Sequence, residues 1–474
     1  MKSFIIQFFI YFFCYSFIST SVHCNEILSL SRCIDIGLSN AYSIKKQQNS
    51  LILNKSQMKS AFGNLLPSLE FGITYLPYNK SYQQLIDMPQ LLNPQNDNAY
   101  KYYTSKTISN DANYFIRGSL TLFDGLASLY KIKSSLNSFH GSELLLKREK
   151  EQFIYEILKL YYQLMLDKEI VKIANENLLL STKLLTKISA KVAVGDLSVA
   201  DQYQQEAKVS EFKLFSIKKN YAVDIDKLNI LNKIGISYNY GSFEFENIVL
   251  PQLDNTEEIN KDELITKALI NRSDFLAKKS FVNAYKQNIN ISKADMFPKI
   301  NLITQLSSIS TDVTSYSLNN TKYDINNQTN VFDLLFKNTN FLYGFELKWK
   351  IFDGFTTNSN IQKSKLEYLN SIIELDEIKN RIFTEIQILV ADYNSCIYKI
   401  KETNSGLIAA NHAFATVSER YNLGLSDFAE LADAQATLLN AKSERVQALY
   451  NMDFQTKIVS FYTGLLNQSG YTLN

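Results

Sequence analysis

The chain has 474 residues, 46 % of them hydrophobic, and its 49 basic side chains nearly balance 47 acidic ones for a formal charge of +2. That composition supplies a large core and excludes an intrinsically disordered chain. The small net charge gives no electrostatic footprint for nucleic acid or for an acidic polymer.

In chain order, the first two dozen residues stand apart. Lys2 precedes an apolar run from Phe4 to Phe17, and STSVHC then leads to Asn25, the succession of zones that marks a secretory signal peptide over residues 1–24. The run is shorter than the ~20 residues a membrane-spanning helix needs, and no later window is long and apolar enough for one. Lipid attachment at Cys24 is a lesser alternative, because His23 directly before it suits that processing poorly. Of the four cysteines, Cys14 and Cys24 lie in or beside the signal. Cys33 and Cys396 are far apart in sequence, and buried single thiols are the commoner fate, with pairing left open.

The mature chain repeats itself. LFDG at Leu122 matches IFDG at Ile351, placing Asp124 on Asp353 at an offset of 229 residues. The same offset sets Gly195 on Gly424 and Asp201 on Glu430, and Pro67 and Pro298 lie 231 apart. The repeats define the expected organisation. Repeat 1 covers 25–235, with a lead helix, strand 68–77, outer loop 78–111, strand 113–123 and a helical hairpin 125–235 whose tip is near 195. A connector follows at 236–260. Repeat 2 covers 261–474, with a lead helix, strand 299–310, outer loop 311–340, strand 341–352 and a hairpin 354–467 whose tip is near 424.

The second strand of each repeat alternates. Phe341, Tyr343, Phe345, Leu347, Trp349 and Ile351 interleave with Leu342, Gly344, Glu346, Lys348 and Lys350, giving one apolar and one charged face. Tyr114, Ile116, Leu120 and Leu122 do the same against Phe115, Arg117, Ser119 and Thr121. Such a strand fits a half-buried soluble sheet, and also a transmembrane strand of ~9–11 residues with Phe345, Leu347, Trp349 and Ile351 facing lipid. After FDG, Phe153, Ile157, Leu160 and Leu164, and then Ile378, Ile382, Ile386 and Leu389, step at helical spacing. All six prolines fall outside these proline-free runs, each of which extends unbroken to Gly195 or Gly424. Four strands cannot close a barrel in lipid, where open edges are costly, so the strands must be pooled among several copies.

No catalytic, cofactor or metal constellation is visible. The three histidines, His23, His140 and His412, occupy non-equivalent repeat positions, and no glycine-rich phosphate loop occurs.

Taken together, the two repeats, the LLP and MFP junctions, the paired FDG strand ends and the turn YNLGLSDFAELADAQATLLNA resemble the TolC family of outer-membrane efflux and secretion channels. The resemblance implies an α+β membrane protein, a trimeric 12-stranded transmembrane β-barrel with four strands per protomer, continued by a long α-helical coiled-coil periplasmic barrel. It implies an outer-membrane location reaching into the periplasm, no enzymatic activity and no cofactor. It implies a homotrimer in outer-membrane lipid that docks to a periplasmic adaptor, or membrane fusion protein, and an inner-membrane transporter. A trimeric structural stalk or adhesin is the alternative. By matching positions, Glu430 and Asp433 are the acidic ring of the periplasmic entrance; capping boxes account for Glu430 equally well. Asp201 and Tyr421 match gate contacts, whereas Ser426 stands where an arginine is usual. Gly195, Leu197, Ser198, Gly424, Leu425 and Asp427 form the hairpin tips where an adaptor would dock.

Overall fold

The computed structural model describes residues 26–87, 101–236, 243–250, 259–318, 320–325 and 329–466. The signal-peptide reading, both cysteines within it, and parts of the expected outer loops and connector lie outside the described residues.

Repetition is visible in element lengths. After β1 (Glu26–Leu28), α1 (Leu30–Asn40, 11 residues) and α2 (Tyr42–Gly63, 22 residues) lead to β2 (Ser68–Asp87, 20 residues) and β3 (Lys101–Phe123). Then come α3 (Ala127–Ala193, 67 residues) and α4 (Val199–Lys233, 35 residues). After β4 (Phe243–Phe245), the series recurs as α5 (Lys261–Asn271, 11 residues), α6 (Ser273–Ala294, 22 residues) and β5 (Lys299–Leu318, 20 residues). It continues through β6 (Thr321–Asp324), α7 (Val331–Phe336) and β7 (Thr339–Lys348) to α8 (Thr356–Asn422, 67 residues) and α9 (Phe428–Tyr462, 35 residues). Counterparts of equal length on both sides of the connector mark two copies of one unit.

The repeated FDG is a strand-to-helix switch. Gly125 and Gly354 take φ +68° and +63°, and the next residues, Leu126 and Phe355, are also left-handed at φ +67° and +65°. Two successive left-handed residues reverse the chain sharply, and only the glycine does so at no steric cost. The aspartate then caps the helix it starts. Asp124 accepts from Ser128 N at 2.9 Å and Ser128 Oγ at 2.5 Å. Asp353 accepts from Thr357 N at 2.9 Å and Thr357 Oγ1 at 2.6 Å. Both thus satisfy amides that a helix start leaves without partners.

The chain forms two compact units. One holds the described residues up to Ile52, His140–Lys279 and those from Ile373 onward; the other holds Leu53–Phe139 and Ser280–Ile372. In the first, Leu28, Ile34, Phe153, Ile157, Leu164, Ile230 and Phe245 share a core, into which the i, i+3, i+4 stripe of α3 projects. The Tyr161 hydroxyl lies 3.1 Å from Leu28 O and 2.6 Å from Glu246 O, pinning the parallel β1–β4 pair. Arg272, 1 % exposed, donates to Asp274 through Nε at 3.1 Å and Nη2 at 2.7 Å, and to Glu385 through Nη1 at 2.5 Å. Burial works against the Asp274 carboxylate, but Arg272 and Arg148 outweigh it and hold its pKa below the usual range. Cys33 and Cys396 are both buried free thiols in separate clusters.

The second unit carries a five-stranded sheet in which β2, β3 and β5 run antiparallel and β5 pairs with both β6 and β7. Boundaries differ here from those expected of the sequence. Strands placed at 68–77, 113–123 and 299–310 run on as β2, β3 and β5 through segments read as loops 78–111 and 311–340. Polarity was the misleading signal, because strands wet on both faces lose their alternation. Pro77 is tolerated because the β2–β3 register shifts between Leu76 and Asn79, so its missing N–H interrupts no regular pair. The strand placed at 341–352 is β7, ending at Lys348, so Trp349 and Ile351 lie beyond it. Its partner β5 begins only at Lys299, after Pro298, and Trp349 Nε1 instead donates to Met296 O at 3.1 Å.

Candidate functional site: the two-faced sheet and the helical tip

The register of the sheet sorts its side chains into two faces. Opposed residues in an antiparallel ladder point the same way. One row therefore reads Phe71, Ile116, Leu306, Phe341, and others hold Leu120, Leu302 and Phe345, or Ile300 and Leu347. The opposite face reads Glu70, Arg117, Gln305, Leu342 in one row and Asn301 with Glu346 in another. Arg117 Nε donates to Gln305 Oε1 at 3.0 Å on this polar face. Phe345 and Leu347 are 75 % and 65 % exposed, and Leu69, Phe71 and Tyr343 are likewise open. The apolar face is thus a broad greasy surface with nothing among the described residues of its own unit to cover most of it, far beyond a scattered exposed side chain. Among the described residues no helix is long and apolar enough to cross a membrane.

At the tip, each helical hairpin turns on a left-handed glycine, Gly195 at φ +84° and Gly424 at φ +73°. Asp196 N reaches Lys191 O at 2.9 Å and Leu425 N reaches Arg420 O at 2.8 Å, closing the orphan carbonyls of α3 and α8. Ser198 caps α4 through Ala200 N, and Asp427 caps α9 through Glu430 N at 2.8 Å. Ile188, Tyr421, Phe428 and Leu431 make a small core against which Leu197 packs. Lys191 Nζ donates to Asn422 O at 2.8 Å, tying one hairpin to the other.

The expected site residues are only partly brought together. Glu430 is not an isolated acid, since its carboxylate accepts from Arg420 Nη1 at 2.9 Å and from Ser426 Oγ. Arg420 also donates to Leu425 O at 3.2 Å. Asp433 is exposed on the same helix, one turn further on. The Tyr421 hydroxyl is buried with no hydrogen-bond partner, and burial together with the nearby Asp201 charge pushes its pKa up to about 12. Arg420 escaped the sequence reading because its partner is ten positions away, across the Gly424 turn. A basic residue in the last helical turn before that glycine was the available signal.

Among the described residues no group of histidines, cysteines or carboxylates is arranged to hold a metal ion. What the arrangement offers is an exposed apolar sheet face at one place and a charged, glycine-hinged tip at another. Against the crystal structure of the Campylobacter jejuni CmeC outer membrane channel the TM-score is 0.72 at 15 % identity, covering 93 % of this chain and 86 % of that one. The family model for outer membrane efflux protein matches residues 264–464. Outer membrane efflux protein BepC of Brucella suis is 20 % identical over 383 residues, 80 % of this chain and 77 % of that protein. Outer membrane protein TolC of Escherichia coli is 21 % identical over 125 residues, 26 % of this chain and 25 % of TolC. These likenesses support an efflux channel of the outer membrane.

Proposed function

We propose that the chain is the exit duct of a tripartite efflux or type I secretion assembly, and that three copies build it. The observation that carries this reading is the two-faced sheet, whose outer strands β2 and β7 have no further strand partner among the described residues. In hydrocarbon every open N–H or C=O costs several kcal/mol, and single-chain barrels begin at ~8 strands. Three copies of β2, β3, β5 and β7 make twelve strands, with the Phe71–Phe341 face to lipid and the Arg117–Gln305 face to water. The helical hairpins prolong this conduit as a periplasmic α-barrel, and the substrate moves through it passively.

Energy comes from an inner-membrane transporter reached through a periplasmic adaptor. Gly195, Leu197, Ser198, Gly424, Leu425 and Asp427 form the docking tip, where Leu425 is open to solvent. Asp433 from three copies lines the entrance; Glu430 adds little net charge there, because Arg420 neutralises it. Tyr421, Asp201 and Ser426 sit at the gate. In the intact cell, cross-linking from Leu425→Cys is expected to trap a periplasmic protein anchored in the inner membrane. Trapping only further copies of this chain, or nothing, would contradict the duct.

A further inference from the structure

The outer part of the sheet holds a feature the duct does not require. Between β6 and β7 the six-residue α7 lies on the apolar face. Its Leu334 and Leu335 pack against Ala112 and Tyr114, with Leu306 alongside. Phe336 sits on Tyr114 with ring centroids 5.5 Å apart, yet Phe332 and Phe336 remain 70 % and 64 % exposed.

What lies beneath α7 explains its place. Along β5 the residues on the apolar face run Ile300, Leu302, Thr304, Leu306, then Ser308 and Ser310. Both serines are buried, at 0 % and 1 % exposure, and neither hydroxyl has a hydrogen-bond partner. The greasy stripe of β5 therefore ends at Leu306, and α7 continues it over two polar residues. The same region has an edge problem. β7 pairs with β5 only as far as Ser308, and β6 takes up that edge again from Ser315. The gap is spanned by Asn338 Nδ2 to Ile309 O at 3.5 Å, Thr329 N to Asp312 Oδ2 at 3.1 Å and Ile325 N to Thr314 O at 2.9 Å. An edge so loosely covered is tolerable only where hydrocarbon gives way to water.

The spacing agrees. From Thr339, level with Ser308, to Lys348, β7 rises about 31 Å, or about 24 Å of height at a tilt of ~40°, close to the ~25 Å apolar band of such barrels. Trp349, Phe352 and Phe355, all open, cluster at the far end of that interval, as an aromatic girdle does at a membrane interface.

We propose that α7 is an interfacial helix of the outer leaflet, with Phe332 and Phe336 seated at the boundary between lipid headgroups and acyl chains. It forms the outer girdle opposite Trp349 and shields Ser308 and Ser310 from the acyl chains. The inference rests on the barrel reading above, and its test separates the two. Trp349 is the only tryptophan, so Trp349→Phe gives a silent background for Phe332→Trp, Phe336→Trp and, as a mid-strand reference, Phe345→Trp. The full chain is reconstituted into phosphatidylcholine vesicles carrying bromine either near the headgroup or deep in the chain. The two α7 reporters are expected to lose more emission to the shallow bromine than to the deep one or to aqueous iodide, and the Phe345 reporter to lose more to the deep one. Iodide quenching of α7 without bromolipid quenching would place it in water, and protection from both would place it under another copy; either result overturns the proposal while a lipid-quenched Phe345 reporter leaves the barrel standing. Loss of lipid quenching at the Phe345 reporter removes the barrel itself. Should a tryptophan variant not assemble, Phe332→Cys with a nitroxide label distinguishes the same three environments through its accessibility to oxygen against a water-soluble nickel chelate.

Discussion

Exchanging one apolar residue for arginine on each face of the same strand isolates the physics on which the barrel depends. Phe345 lies on the apolar face in a row with Leu302 and Leu120; Leu342, three positions earlier, shares the polar row with Gln305, Arg117 and Glu70. Phe345 is close to halfway between the Thr339 row and Trp349, the depth at which an arginine on a lipid-facing strand costs about 2–4 kcal/mol. Every 1.4 kcal/mol is tenfold, so Phe345→Arg is expected to shift the folding equilibrium in lipid by about 30- to 700-fold per chain. Leu342→Arg lies beside Gln305 on the face assigned to water and carries no such penalty, leaving about 0.5 kcal/mol for an ordinary surface change. The assay is urea-dependent refolding into vesicles, followed by the heat-modifiable mobility of the folded form. Equal losses from the two substitutions, or a larger loss from Leu342→Arg, would refute the assignment of faces.

Other outcomes follow from the helical unit. Arg272→Ala strips two half-buried carboxylates, Asp274 and Glu385, of their main partner, leaving Arg148 and Arg381 at 3.7 Å or more; a loss of about 3 kcal/mol is expected in chemical denaturation, with Arg272→Lys intermediate. Asp226 is the titratable outlier: burial first, and then the neighbouring Asp167, raise its pKa to about 6. Because the folded state holds that proton more tightly than the unfolded one, the group weakens the fold at neutral pH, and this cost disappears as pH falls through about 6 toward 4. Asp226→Asn should therefore raise the melting temperature at about pH 7.5 and leave it unchanged near pH 4. In planar bilayers, Asp433→Asn should lower cation selectivity more than Glu430→Gln, since Arg420 already neutralises Glu430; the reverse order would place Glu430, not Asp433, on the lumen.

Much of this architecture is written in the chain at long range. The offset between Asp124 and Asp353 foretells that the two halves share their elements, because a repeated pattern folds twice alike, and both halves carry helices of 67 and 35 residues. The glycine at each tip is legible because a helix commonly ends at a left-handed residue, most often glycine. Three things stayed hidden. The outer strands read as loop, since Asn79, Lys80 and Gln83 on β2 look like turn residues when both faces are wet. α7 is too short for periodicity, and its cap Asn330 was one asparagine among many. Arg272 resembled any surface charge on an amphipathic helix, although its neighbourhood leaves no room. Gly464, at φ +72°, approaches so closely that a Cβ there would lie 2.7 Å from the Arg272 nitrogen.

The central claim is that this sheet closes only by joining its copies. Native mass spectrometry of the protein released from outer membranes in mild detergent counts the chains in one particle directly. Three chains are predicted, falling apart on boiling; a particle of one chain, or of two, would contradict the account.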